Sequence, residues 1–151
     1  MATICICAID PGLTGAVAFY FPEQDAISVY DMPVVDKDVD AASLAEMLRR
    51  LKPDFAVVEK VSSRPGEGVS SAFKFGSGWG IVRGVIAALG VPMRLVTPQR
   101  WKKSMGLDAD KEKSRAMALR KWPSRSELFA RKKDHGRAEA ALLGLDASTQ
   151  P

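Results

Sequence analysis

Short apolar runs alternate with turn-forming residues along this chain. Residues 4–9 are apolar and closed by Asp10, Pro11 and Gly12, and residues 15–21 follow at once, closed by Pro22. The spacing predicts two strands joined by a tight turn. A third strand is expected at 26–30, completing an antiparallel meander. Across residues 41–51, Leu44, Met47, Leu48 and Leu51 fall at i, i+3, i+4 and i+7, the period of an amphipathic helix, with Asp40 as N-cap and Pro53 beyond its end. Residues 55–58 form a compact apolar run ending in Glu59, as expected of a strand covered on both faces that returns beside the first after a crossover helix.

Residues 62–68 are a polar loop, and 69–89 read as a long helix despite Gly76, Gly78, Gly80 and Gly84. Each glycine costs about 1 kcal/mol against alanine in a helix interior. Either another backbone packs closely there or the helix breaks near 76–80. A fifth strand is expected at 92–96, a helix start at Thr97 and Pro98, and a basic helix at 111–122 stopped by Pro123. Residues 124–134 are polar and basic. A last helix at 135–145 would bury Ala138, Ala141, Leu142 and Leu145. Three strands, helix, strand, helix, strand and further helices make an α/β fold: a mixed five-stranded sheet, three antiparallel strands then two parallel, with helices on both faces.

Composition narrows the class. The 151 residues are 46% hydrophobic and 26% charged, which excludes collagenous, disordered and disulfide-scaffold chains. One domain spanning residues 1–151 is expected. No apolar run reaches the roughly 20 residues of a membrane span, and residues 1–4 lack a signal-peptide pattern, so a cytoplasmic location is expected. Cys5 and Cys7 lie at i, i+2 on a strand, both on one face, and read as buried thiols rather than a disulfide. Charge is divided unevenly: residues 1–93 carry 8 Lys and Arg against 11 Asp and Glu, and residues 94–151 carry 14 against 7. A basic second part points to a polyanion partner, against the plainer reading of a solubilising surface.

The acids carry the chemistry. Asp10 ends the first strand and Glu59 the fourth, and strands in this order would be neighbours. Two carboxylates held close repel unless a cation neutralises them. Oxygen ligands without a Cys or His cluster indicate Mg²⁺ or Mn²⁺. Asp134 and Glu139 begin the last helix, but five residues turn a helix through about 140°, so Asp134 fits better at the N-cap. His135 and Glu139, at i, i+4, share a face. Plain capping is the alternative for Asp134, and a solvated or capping role for His135.

Four segments together resemble the motifs of RuvC-like Holliday junction resolvases, phage-type members above all. They are Ile9-Asp10-Pro11-Gly12-Leu13-Thr14-Gly15, Val58-Glu59-Lys60, Ala72-Phe73-Lys74-Phe75-Gly76 and Lys132-Lys133-Asp134-His135-Gly136-Arg137-Ala138-Glu139-Ala140. Thr97-Pro98-Gln99, Lys102, Gly106 and Glu112-Lys113-Ser114 are similar to the segment between that family's fifth strand and basic helix. The resemblance runs from about residue 3 to residue 145. It implies an RNase H-like (retroviral integrase) fold, and a homodimer in a bacterial or phage-infected cell whose two sites nick opposed strands of a four-way DNA junction. It also implies two Mg²⁺ ions per site, with Mn²⁺ as substitute, held by Asp10, Glu59, Glu139 and a fourth ligand. Many relatives have aspartate where this chain has Glu139. The fourth ligand usually lies three residues before that position, where this chain has Gly136, so Asp134 or His135 must fill the role. Asp134 is favoured, and some relatives use histidine.

Such cations, about 3.5 to 4 Å apart, would activate a water and stabilise the attacking and leaving oxygens. Phosphate contacts are expected from Lys60, Lys74, Lys102, Lys103, Lys111, Lys113, Arg115, Lys132 and Lys133, with Lys113 favoured by the resemblance and a solvated charge the alternative for each. Phe73 and Phe75, two apart on a helix, cannot both face one core. One of them could pack across a dimer or stack on an unpaired base, as proposed for Phe73, with ordinary core packing as the alternative. No nucleotide cofactor and no membrane partner are expected. Two other functions compete: an actin-like or sugar-kinase-like ATP-binding domain, because residues 10–15 also resemble that superfamily's phosphate loop, and a non-catalytic branched-DNA-binding module.

Overall fold

The structure is a computed structural model that describes residues 3–150. Its main sheet holds β1 (Ile6–Asp10), β2 (Ala16–Phe21), β3 (Ala26–Asp31), β6 (Phe55–Glu59) and β7 (Met93–Val96), in the order β3-β2-β1-β6-β7. Strands β1, β2 and β3 form the antiparallel meander, and β6 and β7 join β1 in parallel. A two-stranded hairpin of β4 (Val34–Val35) and β5 (Asp38–Val39) precedes α1 (Ala41–Leu51). The other helices are α2 (Val69–Ala88), α3 (Pro98–Ser104), α4 (Lys111–Lys121) and α5 (His135–Thr149). Two 3-10 segments, Pro123–Leu128 and Lys132–Asp134, fill the polar stretch before α5. The mixed sheet expected from the sequence is the one found.

Alternation along the strands assigns each side chain to a layer. Cys7 and Ile9 of β1, Val17 and Phe19 of β2 and Ala56 and Val58 of β6 pack with Leu44 and Leu48 of α1 and Val82 and Ile86 of α2. Ile6, Ala8, Ala18, Tyr20 and Val57 point the other way, into a core with Ala138, Ala141 and Leu142 of α5 and with Trp101 of α3. Asp10 continues the series of Ile6 and Ala8, and Glu59 continues that of Phe55 and Val57. Both acids therefore lie on the α5 face, at the ends of adjacent parallel strands in which Ile9 pairs with Val58.

Two glycines set the distance between α5 and the β1–β2 turn. A Cβ on Gly15 would fall 2.0 Å from the Asp10 carbonyl oxygen, so no other residue fits inside that turn. A Cβ on Gly136 would come within 2.7 Å of the Thr14 carbonyl oxygen. The first turn of α5 rests directly on the loop after Asp10, leaving no room at 136 for a ligand side chain.

Helix α2 is continuous. Only Gly78 has a close neighbour, with a built Cβ 3.4 Å from Val39 Cγ2, whereas Gly76, Gly80 and Gly84 face open space. Neither a break nor close packing within the chain explains those three. Cys5 and Cys7 are buried free thiols, raised above the ordinary range by burial. No helix among the described residues is long and apolar enough to cross a membrane.

Candidate active site

Asp10, Glu59 and Glu139 open onto one cleft of about 500 Å³ at the rim where β1 and β6 end, and His135 lines it beside them. Burial pushes the Asp10 carboxyl up to about 7, helped by the negative charges of Glu59 and Glu139, while the Gly12 amide and the Lys111 ammonium pull the other way. Glu59 is also raised, first by burial and then by Glu139, against the opposing hydrogen bond from Trp101 and the charge of Lys102. These are the signs of a like-charge cluster short of positive charge. His135 is held below its usual range by burial and by Lys111, and its Nδ1 is buried without a hydrogen-bond partner.

Helix α3 reaches into the same cluster. The buried Trp101 donates its indole N–H to Glu59 Oε2 at 2.9 Å, and Lys102 Nζ lies 2.7 Å from Glu139 Oε2. Thr97 caps this helix by accepting from the Arg100 amide. With Glu139 turned to Lys102 and Glu59 to Trp101, no three His, Cys, Asp or Glu side chains among the described residues are gathered closely enough to hold a metal ion as they stand. The donor set nonetheless suits a divalent cation: three carboxylates with a raised Asp10, and an orphaned imidazole nitrogen beside them.

Asp134, expected as fourth ligand, is buried outside the residues that line the cleft. Its carboxylate accepts from the Arg131 backbone N–H at 2.8 Å and from the Arg131 guanidinium at 2.9 Å, with Arg137 3.8 Å away. Burial would raise this acid, but the two arginines outweigh it and hold it below the carboxylate range. The residue at the cleft is His135.

The expected phosphate contacts divide by location. Lys60, Lys102 and Lys111 line the cleft, and Lys74 borders an adjoining hollow with Leu13, Thr14 and Phe75. Lys103 flanks a second hollow beside Lys102, formed with Gly106, Leu107 and Asp108. Lys132 and Lys133 are exposed just before α5, and Lys113 forms an exposed pair with Asp108. The Arg115 guanidinium donates to the carbonyls of Phe129 at 2.9 Å and Ala130 at 2.8 Å and to Glu112, clamping the chain before α5. Phe75 lines the cleft, while Phe73 stands 77% exposed. Arg64 in the cleft wall and Trp101 behind Glu59 escaped the sequence reading. Arg64 sits in a loop without periodicity, and an aromatic residue one turn into a helix reads as core.

No protein-family model matches the chain. The solved structures settle the architecture. Thermus thermophilus RuvC in complex with a Holliday junction substrate superposes with a TM-score of 0.66 at 18% identity, covering 96% of this chain and 92% of that one. The chain has the RuvC fold. A second structure of Thermus thermophilus RuvC gives a TM-score of 0.61 at 20% identity over 96% of this chain and 93% of that one. The yeast mitochondrial Holliday junction resolvase gives 0.57 at 15% identity over 95% and 77%. Among curated proteins, the chloroplastic Holliday junction resolvase MOC1 of Chlamydomonas reinhardtii is 30% identical over 91 residues, 59% of this chain. The chain spans about a tenth of that relative's length, 10% of it.

Proposed function

We propose that the cleft is the active site of a divalent-metal-dependent, structure-selective endodeoxyribonuclease that resolves four-way DNA junctions by paired symmetric nicks. The observation that carries this reading is the opening of Asp10, Glu59 and Glu139 onto one basic-rimmed cleft at the strand ends of a RuvC-type sheet. The Holliday junction named with the Thermus structure, and the resolvase names of the other relatives, support the same substrate.

Asp10, Glu59 and Glu139 would hold the ions through carboxylate oxygens and His135 through its imidazole, with two Mg²⁺ per site and Mn²⁺ as a substitute. Bound there, divalent ions supply a Lewis acid at the scissile phosphate and a water acidic enough to attack it. The residues of the chain do the rest. Lys102 neutralises Glu139, its partner at 2.7 Å, and with that acid holding an ion its ammonium would be available to phosphate. Lys60, Arg64 and Lys111 at the rim hold backbone phosphates, which position DNA without reading its bases.

Paired nicks require two clefts and hence a homodimer. Helix α2 offers the seam: Gly76, Gly80 and Gly84 lie along one open face, next to the exposed Phe73 and Val69. Phe73, exposed on the same face, would stack on an unpaired base at the junction centre. The test is incubation of a four-way junction and a linear duplex of the same sequence with Mg²⁺ or with chelator. Paired nicks in the junction alone, abolished by chelator, are the expected result. Equal cutting of the duplex contradicts structure selectivity, and binding of the junction without any cutting supports the non-catalytic reading.

A further inference from the structure

We infer that Trp101 is a positioning residue for the candidate metal ligand Glu59, an inference that rests on the nuclease reading of the cleft. Trp101 is fully buried, and its indole N–H donates to Glu59 Oε2 at 2.9 Å. An indole nitrogen donates and never accepts, so the contact has one polarity. If Glu59 rotated away, the indole N–H would be left unpaired in a closed core, and a buried donor without a partner is disfavoured. The hydrogen bond thus ties one carboxylate oxygen and leaves Oε1 free for the cleft.

The backbone explains why residue 101 reaches residue 59. Glu59 and Val96 are register partners on β6 and β7, and α3 starts two residues after Val96. The Trp101 amide closes the first helical turn on the Thr97 carbonyl at 3.3 Å, which returns the side chain at 101 over the end of β6. The ring is wedged into the core beneath α5 with Ala138 and Leu142, so the donor is fixed by packing on a rigid element. Groups that orient a ligand in this way typically change metal affinity or activity about 10- to 100-fold when removed. Lys102, the next residue, takes hold of Glu139. One turn of α3 therefore governs two of the three acids, Trp101 by a fixed neutral donor and Lys102 by a mobile charge.

The test uses the full chain. In a ¹H–¹⁵N spectrum, the Trp101 indole signal is identified by its loss in W101F. It is expected to move in E59A, which removes the acceptor, and to stay in place in K60A. W101F retains an aromatic ring and deletes the donor. It should lower the single-turnover rate of junction nicking about 10- to 100-fold and raise the Mg²⁺ concentration for half-maximal rate, with the affinity for junction in chelator unchanged. Mg²⁺ binding followed by calorimetry should weaken in parallel. If W101F loses its fold, the E59A spectrum decides, because it leaves Trp101 in place. An indole signal indifferent to E59A, or a folded W101F with wild-type rate and wild-type Mg²⁺ dependence, overturns the inference. A wild type that neither nicks a junction nor binds Mg²⁺ overturns the reading of the cleft itself, a result separate from either of those.

Discussion

Replacing Asp10 by asparagine should stabilise the metal-free protein, by an amount that grows as pH rises from about 4 and levels off above about 7. The Asp10 carboxyl titrates near 7 in the folded chain, against 3.8 for the free side chain. At 1.36 kcal/mol per pH unit, that difference corresponds to an upper bound of about 4 kcal/mol. Because part of that rise comes from the negative charges of Glu59 and Glu139, about 2–4 kcal/mol is the working range. The folded protein binds this proton more tightly than the unfolded chain. Stability is therefore greatest below the unfolded value near 3.8, is lost as pH rises through about 7, and is flat above. Asparagine keeps an oxygen for the Gly12 amide and carries no charge. The assay is thermal unfolding in chelator from pH 5 to 8. The D10N variant should already melt above wild type at pH 5, by less than half of the final gap, and about 5–12 °C higher at pH 8, since 1 kcal/mol is worth about 2–4 °C at this chain length. Adding Mg²⁺ at pH 8 should raise the wild type and leave D10N where it was. Parallel melting curves for the two proteins across the whole pH range would refute the claim that burial and like charge load this site.

Three further outcomes follow from the same geometry. H135A should fold normally and lose about 10- to 100-fold or more in nicking and in Mg²⁺ affinity, whereas D134A should act on stability, by about 1–3 kcal/mol after allowance for the half-exposed Arg131; denaturant unfolding beside nicking assays separates the two, and the reverse pattern would restore Asp134 as the ligand. K102M should make the loss of metal-free stability between pH 5 and pH 8 larger than in the wild type, because Glu139 loses its buried partner at 2.7 Å; pH-dependent melting checks this, and a profile unchanged from wild type contradicts the role of Lys102 as internal counter-charge. G80L should shift the protein from dimer to monomer in light scattering without changing its circular dichroism, since Gly80 faces open space within the chain; a variant still dimeric moves the seam away from α2.

The sheet and the two strand-end acids were legible because a period of two is unambiguous in short apolar runs. Ile6, Ala8 and Asp10 alternate with Cys7 and Ile9, and the crossover through α1 makes Glu59 the neighbour of Asp10. The hairpin of β4 and β5 was not legible: its turn residues Asp36 and Lys37 adopt positive φ of 49° and 64°, a conformation the residue types do not announce. The surroundings of Asp134 were not legible, because a carboxylate beside a helix start satisfies the rule for capping and the pattern for ligands alike, and its pairing with Arg131, three residues back, shows only in the structure. Gly136 was the better clue. Its close approach to Thr14 leaves no space for a side chain at that position, but that contact spans the fold and is invisible in sequence. Trp101 was hidden for a related reason, as its partner Glu59 lies 42 residues away.

The most direct measurement is cleavage of a four-way junction by wild type and D10N side by side in Mg²⁺, with junction affinity measured in parallel. Wild type should nick opposed strands at symmetric positions, and D10N should bind the junction at least as tightly while leaving it intact, since removing a charge from the cleft favours DNA and disfavours the ions. Junction cutting by D10N at a rate near that of wild type would contradict the account.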